Sequence, residues 1–212
     1  MTDLSDVETA ILTGNAKSAL TAARAALEHG AHPLELVSRA IRPAMDEAGR
    51  RFEAGDYFVP ELLLAARATK GVFDLIRPLL AETGAEPAGR VVLGTVQGDL
   101  HDIGKNLVKT MLEGGGFAVV DLGVDVPAQK FVAAVAAEQP SILALSALLT
   151  TTMPGMKTTV EALRAAGLRE RVKVMVGGAP VTQAFADAIG ADGYRPNAAS
   201  AVELARQLVS GA

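Results

Sequence analysis

Val91-Val92-Leu93-Gly94-Thr95-Val96 is a largely apolar run, and Gly98-Asp99-Leu100-His101-Asp102-Ile103-Gly104 turns from it into a helical pattern. A strand that passes directly into a helix opens a βα unit, and an open α/β sheet binds ligands just past the carboxyl ends of its strands. His101 stands at that place. Asp99, two residues earlier, is placed to orient the imidazole by hydrogen bonding, and Gly104 leaves room for a bulky group to approach the backbone. An imidazole with a carboxylate partner at a strand end has the profile of a metal ligand.

Working outward, apolar strand-like runs at 90–96, 117–121, 141–146 and 172–176, with a weak fifth near 191–194, alternate with helical segments. Those helices are expected near 103–114, 127–138, 154–167, 180–189 and 198–209. Such alternation predicts a parallel sheet covered on both faces and joined by right-handed crossovers, a flavodoxin-like (Rossmann-type) α/β domain. Upstream the pattern changes. Ala-rich and Leu-rich segments near 4–12, 16–28, 34–53 and 60–80 have helical spacing, with breaks at Thr13-Gly14-Asn15, Gly30-Ala31-His32-Pro33 and Ala54-Gly55-Asp56-Tyr57. Loops this short predict an antiparallel four-helix bundle. Glu82-Thr83-Gly84-Ala85-Glu86-Pro87-Ala88-Gly89 reads as a linker, giving a helical domain over 1–85 and an α/β domain over 86–212.

Composition narrows the chemistry. Half of the 212 residues are hydrophobic, enough for a core in each domain, and the net charge of −4 without a dense Lys/Arg run argues against nucleic acid. No cysteine is present, so any transition metal must use other ligands. No apolar run reaches the roughly 18 residues that a membrane span needs, and the N-terminus is acidic and helical in pattern, which predicts a cytoplasmic protein without a membrane partner.

In the predicted strand order, the loops after the first, third and fourth strands gather at the switch point of the sheet. They offer Asp99 and His101, then Ser146-Ala147-Leu148-Leu149-Thr150-Thr151-Thr152, then Gly177-Gly178-Ala179. Hydroxyls can bond ligand nitrogens and oxygens, and paired glycines leave a slot for a flat or extended group. Taken singly, each feature has a plainer explanation: Asp99 or Asp102 as a helix cap, the Ser/Thr run as a strand terminator, the glycines as a tight turn. His29 and His32 lie at a helix boundary and read as caps or solvent-facing residues.

The full pattern, Asp-x-His-x-x-Gly, then Ser-x-Leu, then Gly-Gly, resembles the cobalamin-binding domain of methionine synthase. It is closer still to the small corrinoid proteins of bacterial and archaeal methyltransferase systems, and the resemblance covers nearly the whole chain. It implies that His101 replaces the dimethylbenzimidazole base as lower axial ligand of cobalt, so that cobalamin binds base-off with its nucleotide tail in a pocket beside the sheet. It further implies that Asp99 bonds His101 and Thr152 continues that relay, a threonine standing where methionine synthase has serine. Leu100, Asp102, Ile103 and Gly104 complete the histidine loop; Ser146 and Thr150 contact the buried base, with Leu148 of the Ser-x-Leu pattern also binding the cofactor; Gly177 and Gly178 line its slot. Arg51 to Leu62 resembles the cap over the methyl-bearing face, with Phe52, Val59 and Leu62 as the shielding residues.

The resemblance therefore implies a corrinoid methyl carrier in one-carbon metabolism, a subunit without a donor-activating site of its own. Its expected partners are a substrate-specific methyltransferase, a second methyltransferase using tetrahydrofolate or coenzyme M, and a reductive activator protein. A cobalamin-dependent sensor or regulatory protein is the alternative, but it would carry a DNA-binding domain, and this chain is acidic and enters the bundle almost at once. A mutase subunit would lack the helical cap. A phosphoacceptor receiver needs aspartate where Ser146 stands, and a dinucleotide-binding domain needs closely spaced glycines after the first strand.

Overall fold

The computed structural model describes residues 3–82 and 87–211. The chain divides into two compact units, Met1–Pro87 with Glu113–Gly116, and Ala88–Leu112 with Phe117–Ala212. The boundary expected between 85 and 86, and residues 83–86 of the expected linker, lie outside the described residues.

In the first unit, α1 (Ser5–Leu12), α2 (Ala16–Glu28), α3 (Pro33–Leu36), α4 (Arg42–Ala54) and α5 (Val59–Glu82) follow one another through short turns. Local chemistry sets their ends. The Asn15 side chain accepts the Ser18 amide at the start of α2, and His32 caps α3 while Glu35 accepts the His32 amide in return. Gly55 closes α4 with a left-handed φ of 82°. The segment expected as one helix over 34–53 contains a π-helical turn, Val37–Ile41, between α3 and α4. Pro43 explains it: proline has no amide to donate to Arg39, and its ring crowds that carbonyl, so the backbone widens one turn before it. On α5 the buried stripe is Leu62, Ala65, Ala66, Thr69, Val72 and Ile76, at the spacing of one helix face.

In the second unit, β1 (Arg90–Thr95), β2 (Ala118–Asp121), β3 (Ile142–Ser146), β4 (Lys173–Gly177) and β5 (Gly193–Tyr194) form a parallel sheet in the order β2-β1-β3-β4-β5. Helices α6 (Ile103–Gly114), α7 (Ala128–Glu138), α8 (Pro154–Ala165), α9 (Gln183–Ile189) and α10 (Ala198–Ser210) connect and follow these strands. Strands β1 and β3 are nearly continuous runs of Val, Leu, Ile and Ala because both faces are covered. The core joins Val92, Leu143, Leu145, Val174 and Val176 of the strands to Phe131, Val135, Met156, Val160 and Leu163 of α7 and α8. Helix α9 starts three residues later than expected, where the Thr182 hydroxyl accepts the Phe185 amide. The chain leaves β1 toward β2 on one side and β3 on the other, so a crevice opens between the loops that follow β1 and β3. Among the described residues, no helix is long and apolar enough to cross a membrane.

Candidate functional site

The crevice is organised around one carboxylate. Asp99 is fully buried, and both its oxygens accept hydrogen bonds from groups on two loops. Oδ1 accepts the His101 amide at 3.0 Å and ring Nδ1 at 2.7 Å. Oδ2 accepts the Leu148 amide and the Thr152 hydroxyl, each at 2.7 Å. Burial alone pushes the Asp99 carboxyl up, yet the donors from Thr152, Leu148 and His101 together hold it below its ordinary value of 3.8. Asp99 is therefore ionised and acceptor-only, which requires the bonded Nδ1 of His101 to carry a proton. In the neutral ring the lone pair then falls on the other nitrogen, Nε2, and among the described residues no hydrogen bond to it is found.

His101 is also held through its backbone. Its carbonyl accepts the buried Thr95 hydroxyl at 2.9 Å. Thr95 went unnoticed in the sequence because a threonine at a strand end is unremarkable until its partner is seen. On the same loop as the half-exposed imidazole, Leu100 and Ile103 are 72 % and 80 % exposed, and Leu148 and Leu149 on the loop after β3 are also exposed. Leu148 joins them because its amide is tied to Asp99. Apolar side chains turned outward about a polar centre mark a surface that a flat apolar ligand covers.

The structure brings together Asp99, His101 and Thr152, and the threonine reaches the carboxylate without difficulty. Asp102 is exposed and ties the first turn of α6, its carbonyl accepting the Asn106 amide at 2.7 Å. Ser146 lies between Thr95 and Gly177 in strand register, at the carboxyl edge of the sheet. Gly178 follows with φ 134°, and a Cβ there would overlap the carbonyl oxygen of Ala147. Gly104 has open space where a Cβ would stand, and Thr150 is exposed. In the helical unit Phe52 is half-buried and Val59 exposed. Leu62, expected to share their surface, has none to offer: it belongs to the buried stripe of α5, while Phe58, Leu63 and Leu64 are exposed instead.

Among the described residues, no group of three or more His, Asp or Glu side chains could hold a metal ion. One imidazole is a single ligand, so a metal bound here must arrive with its other positions already filled. The single imidazole, the exposed apolar side chains and the glycine-lined strand edge fit a metal carried in a flat organic ring. This fold and site define a binding module for a metal-containing macrocycle.

Comparison with known proteins agrees. Two family models match, both described as B12-binding domains, over residues 89–203 and 4–77. Dimethylamine corrinoid protein 2 of Methanosarcina acetivorans is 47 % identical over 180 residues, which cover 84 % of this chain and 83 % of that protein. A cobalamin-binding protein from Desulfitobacterium hafniense DCB-2 superposes with a TM-score of 0.84 at 35 % identity, over 98 % of this chain and 99 % of the other. The methanol:cobalamin methyltransferase complex MtaBC of Methanosarcina barkeri contains a chain matching with a TM-score of 0.85 at 33 % identity, over 98 % of this chain and 79 % of that one. The chain belongs to the B12-binding family, among the corrinoid proteins of methyltransferase systems, and cobalamin is its cofactor.

Proposed function

We propose that this protein carries a methyl group on a base-off corrinoid whose lower axial ligand is Nε2 of His101. The observation that carries the reading is the Nδ1 bond to Asp99, which leaves Nε2 as the ring nitrogen open to a ligand, with exposed apolar side chains on the same loops. When bound, the corrinoid supplies a nucleophilic cobalt centre that accepts and releases the methyl group. The protein's own residues do the rest. Asp99 holds the ring tautomer, Thr152 and the Leu148 amide hold Asp99, and Thr95 fixes the His101 backbone. Leu100 and Ile103 supply apolar contact beside the imidazole, with Asp102 securing the start of α6 below them. Ser146, Leu148, Thr150, Gly177 and Gly178 line the path of the nucleotide tail. Phe52 and Val59 shield the methyl-bearing face from water.

The chain acts in the cytoplasm between a substrate-specific methyltransferase, which loads the methyl group, and a second one delivering it to tetrahydrofolate or coenzyme M. A reductive activator restores the carrier after oxidation. The names of the curated relatives favour a methylated amine as donor.

The test is reconstitution with hydroxocobalamin and comparison of the visible spectra of the parent and His101→Ala. The parent is expected to give a base-off, histidine-ligated spectrum, and the variant to lose the histidine contribution entirely. Identical spectra from the two proteins would remove His101 from the ligand role.

A further inference from the structure

The loop that leads from β2 to α7, residues 122–127, grips the histidine loop from the side opposite Thr152. Asp125 adopts φ 53°, a left-handed conformation that aspartate tolerates better than most L residues. In that conformation both its ends engage the segment before His101. Its carboxylate accepts the Gly98 amide at 2.7 Å, and its own amide donates to the Asp99 carbonyl at 3.0 Å. Alongside, the Val126 amide donates to Thr95 and the Thr95 amide to Gly123, both at 3.0 Å, while Val96 bridges to Val126.

The same connection reaches the segment after His101. Asp121, the last residue of β2, accepts the buried ammonium of Lys105 with both oxygens, at 2.8 and 2.7 Å. Lys105 also bonds the Asn106 side-chain oxygen at 2.7 Å, and the Asn106 amide group donates to Asp102 at 3.2 Å. Burial pushes the Asp121 carboxyl up, but the Lys105 bond, the Gly123 amide and the charges of Lys105 and Lys109 hold it below its ordinary value. Gly98 and Asp99 on one side of His101, and Lys105 on the other, are thus fastened to one neighbouring segment, residues 121–127.

We infer that residues 121–127 clamp the axial-ligand loop, and that Asp125 is a positioning residue which sets the stance of His101 by holding Gly98 and Asp99. The inference rests on the reading of His101 as cobalt ligand for its consequence, although the clamp itself is a property of the chain alone. Asp125 makes no hydrogen bond to the imidazole or to the Asp99 carboxylate. It acts on the peptide from which that carboxylate projects, so its loss is felt where Asp99 aims: at the ring of His101 and at the amide of Leu148.

The test uses amide hydrogen exchange on the cofactor-free full chain, with Asp125→Gly and Asp125→Asn beside the parent. Glycine keeps the backbone conformation without strain but deletes the carboxylate, so the chain folds and only the grip is lost. A hydrogen bond to a charged acceptor is worth about ten- to a hundredfold in a local opening equilibrium. Asp125→Gly is therefore expected to speed exchange at Gly98 by about tenfold or more, and at Leu148 by roughly threefold or more. Asp125→Asn, which retains a neutral acceptor and tolerates the left-handed backbone, is expected to bring both amides part of the way back toward the parent rates. Faster exchange at Gly98 alone, or at neither amide, overturns the clamp.

The consequence for ligation is read separately on protein loaded with hydroxocobalamin. The part of the visible spectrum that His101→Ala abolishes is followed against pH, and its midpoint should move further in Asp125→Gly than in Asp125→Asn. An unmoved midpoint refutes the positioning role. If His101→Ala abolishes nothing, the ligand reading fails, and the exchange rates still decide whether the clamp exists.

Discussion

Replacing Asp99 by Asn is expected to destabilise the sheet unit by about 2–4 kcal/mol and to weaken histidine ligation at neutral pH, although the two side chains have the same shape. Each oxygen of Asp99 faces a backbone amide that can only donate: His101 on one side, Leu148 on the other. An asparagine has one oxygen, so its NH2 group must be turned toward one of those amides, whichever way it is flipped. If the NH2 group faces His101, Nδ1 becomes the acceptor, the ring proton moves to Nε2, and the lone pair there is gone. If it faces Leu148, the corner between the two loops opens.

The pH dependence has a definite sign. The carboxyl of Asp99 is held below its ordinary value, so its contribution is fully present above the unfolded value of 3.8 and disappears as pH falls through the lower folded value. Urea denaturation of the parent and Asp99→Asn should give a constant gap at pH 7 and 5 and a shrinking one in stronger acid. Equal stability at pH 7 would contradict this account of the site.

The second large effect concerns Gly178. A methyl group there would overlap the Ala147 carbonyl oxygen, and φ 134° is a region that L residues rarely enter. Because the obstacle is backbone, no side-chain rotation relieves it. Gly178→Ala is expected to cost about 3 kcal/mol or more and to break the Ala147 amide to Gly177 carbonyl bond between the strand ends. Gly104 provides the contrast. Nothing stands within 4 Å of a Cβ at Gly104, so Gly104→Ala should match the parent in denaturation while weakening retention of cobalamin. Two glycines near one site thus separate by experiment into one that the fold requires and one that the ligand requires. A Gly178→Ala protein of parental stability would refute the first assignment.

Much of this architecture could be read before any coordinates. Strands 90–96, 141–146 and 172–176 betrayed themselves as apolar runs because burial on both faces leaves no room for alternation. Helix α6 appeared where the hydrophobic period changed at Ile103. The interruption at Val37–Ile41 was hidden: apolar spacing survives a widened turn, and only the missing amide of Pro43 hinted at it. Leu62 was expected to join Phe52 and Val59 on the cap through the resemblance alone, and its place on the buried face of α5 shows only in the packing. Asp99 and His101 could be paired by their separation of two residues, whereas Asp125 and Gly98 stand 27 apart and meet only through strand pairing. Lys105, read in isolation, is a surface lysine on a helix; its burial depends on the place that Asp121 takes beside it.

A site assembled in this manner cannot be transplanted as a peptide. The donors that converge on Asp99 include Leu148 and Thr152, 49 and 53 residues further along the chain. A designer who copied residues 98–104 into another parallel-sheet scaffold would import an aspartate with half its coordination missing, and the histidine would swing with it. The smallest portable unit is a pair of adjacent βα corners in fixed register. Any lineage that reuses this histidine must keep both corners or rebuild the second from different side chains.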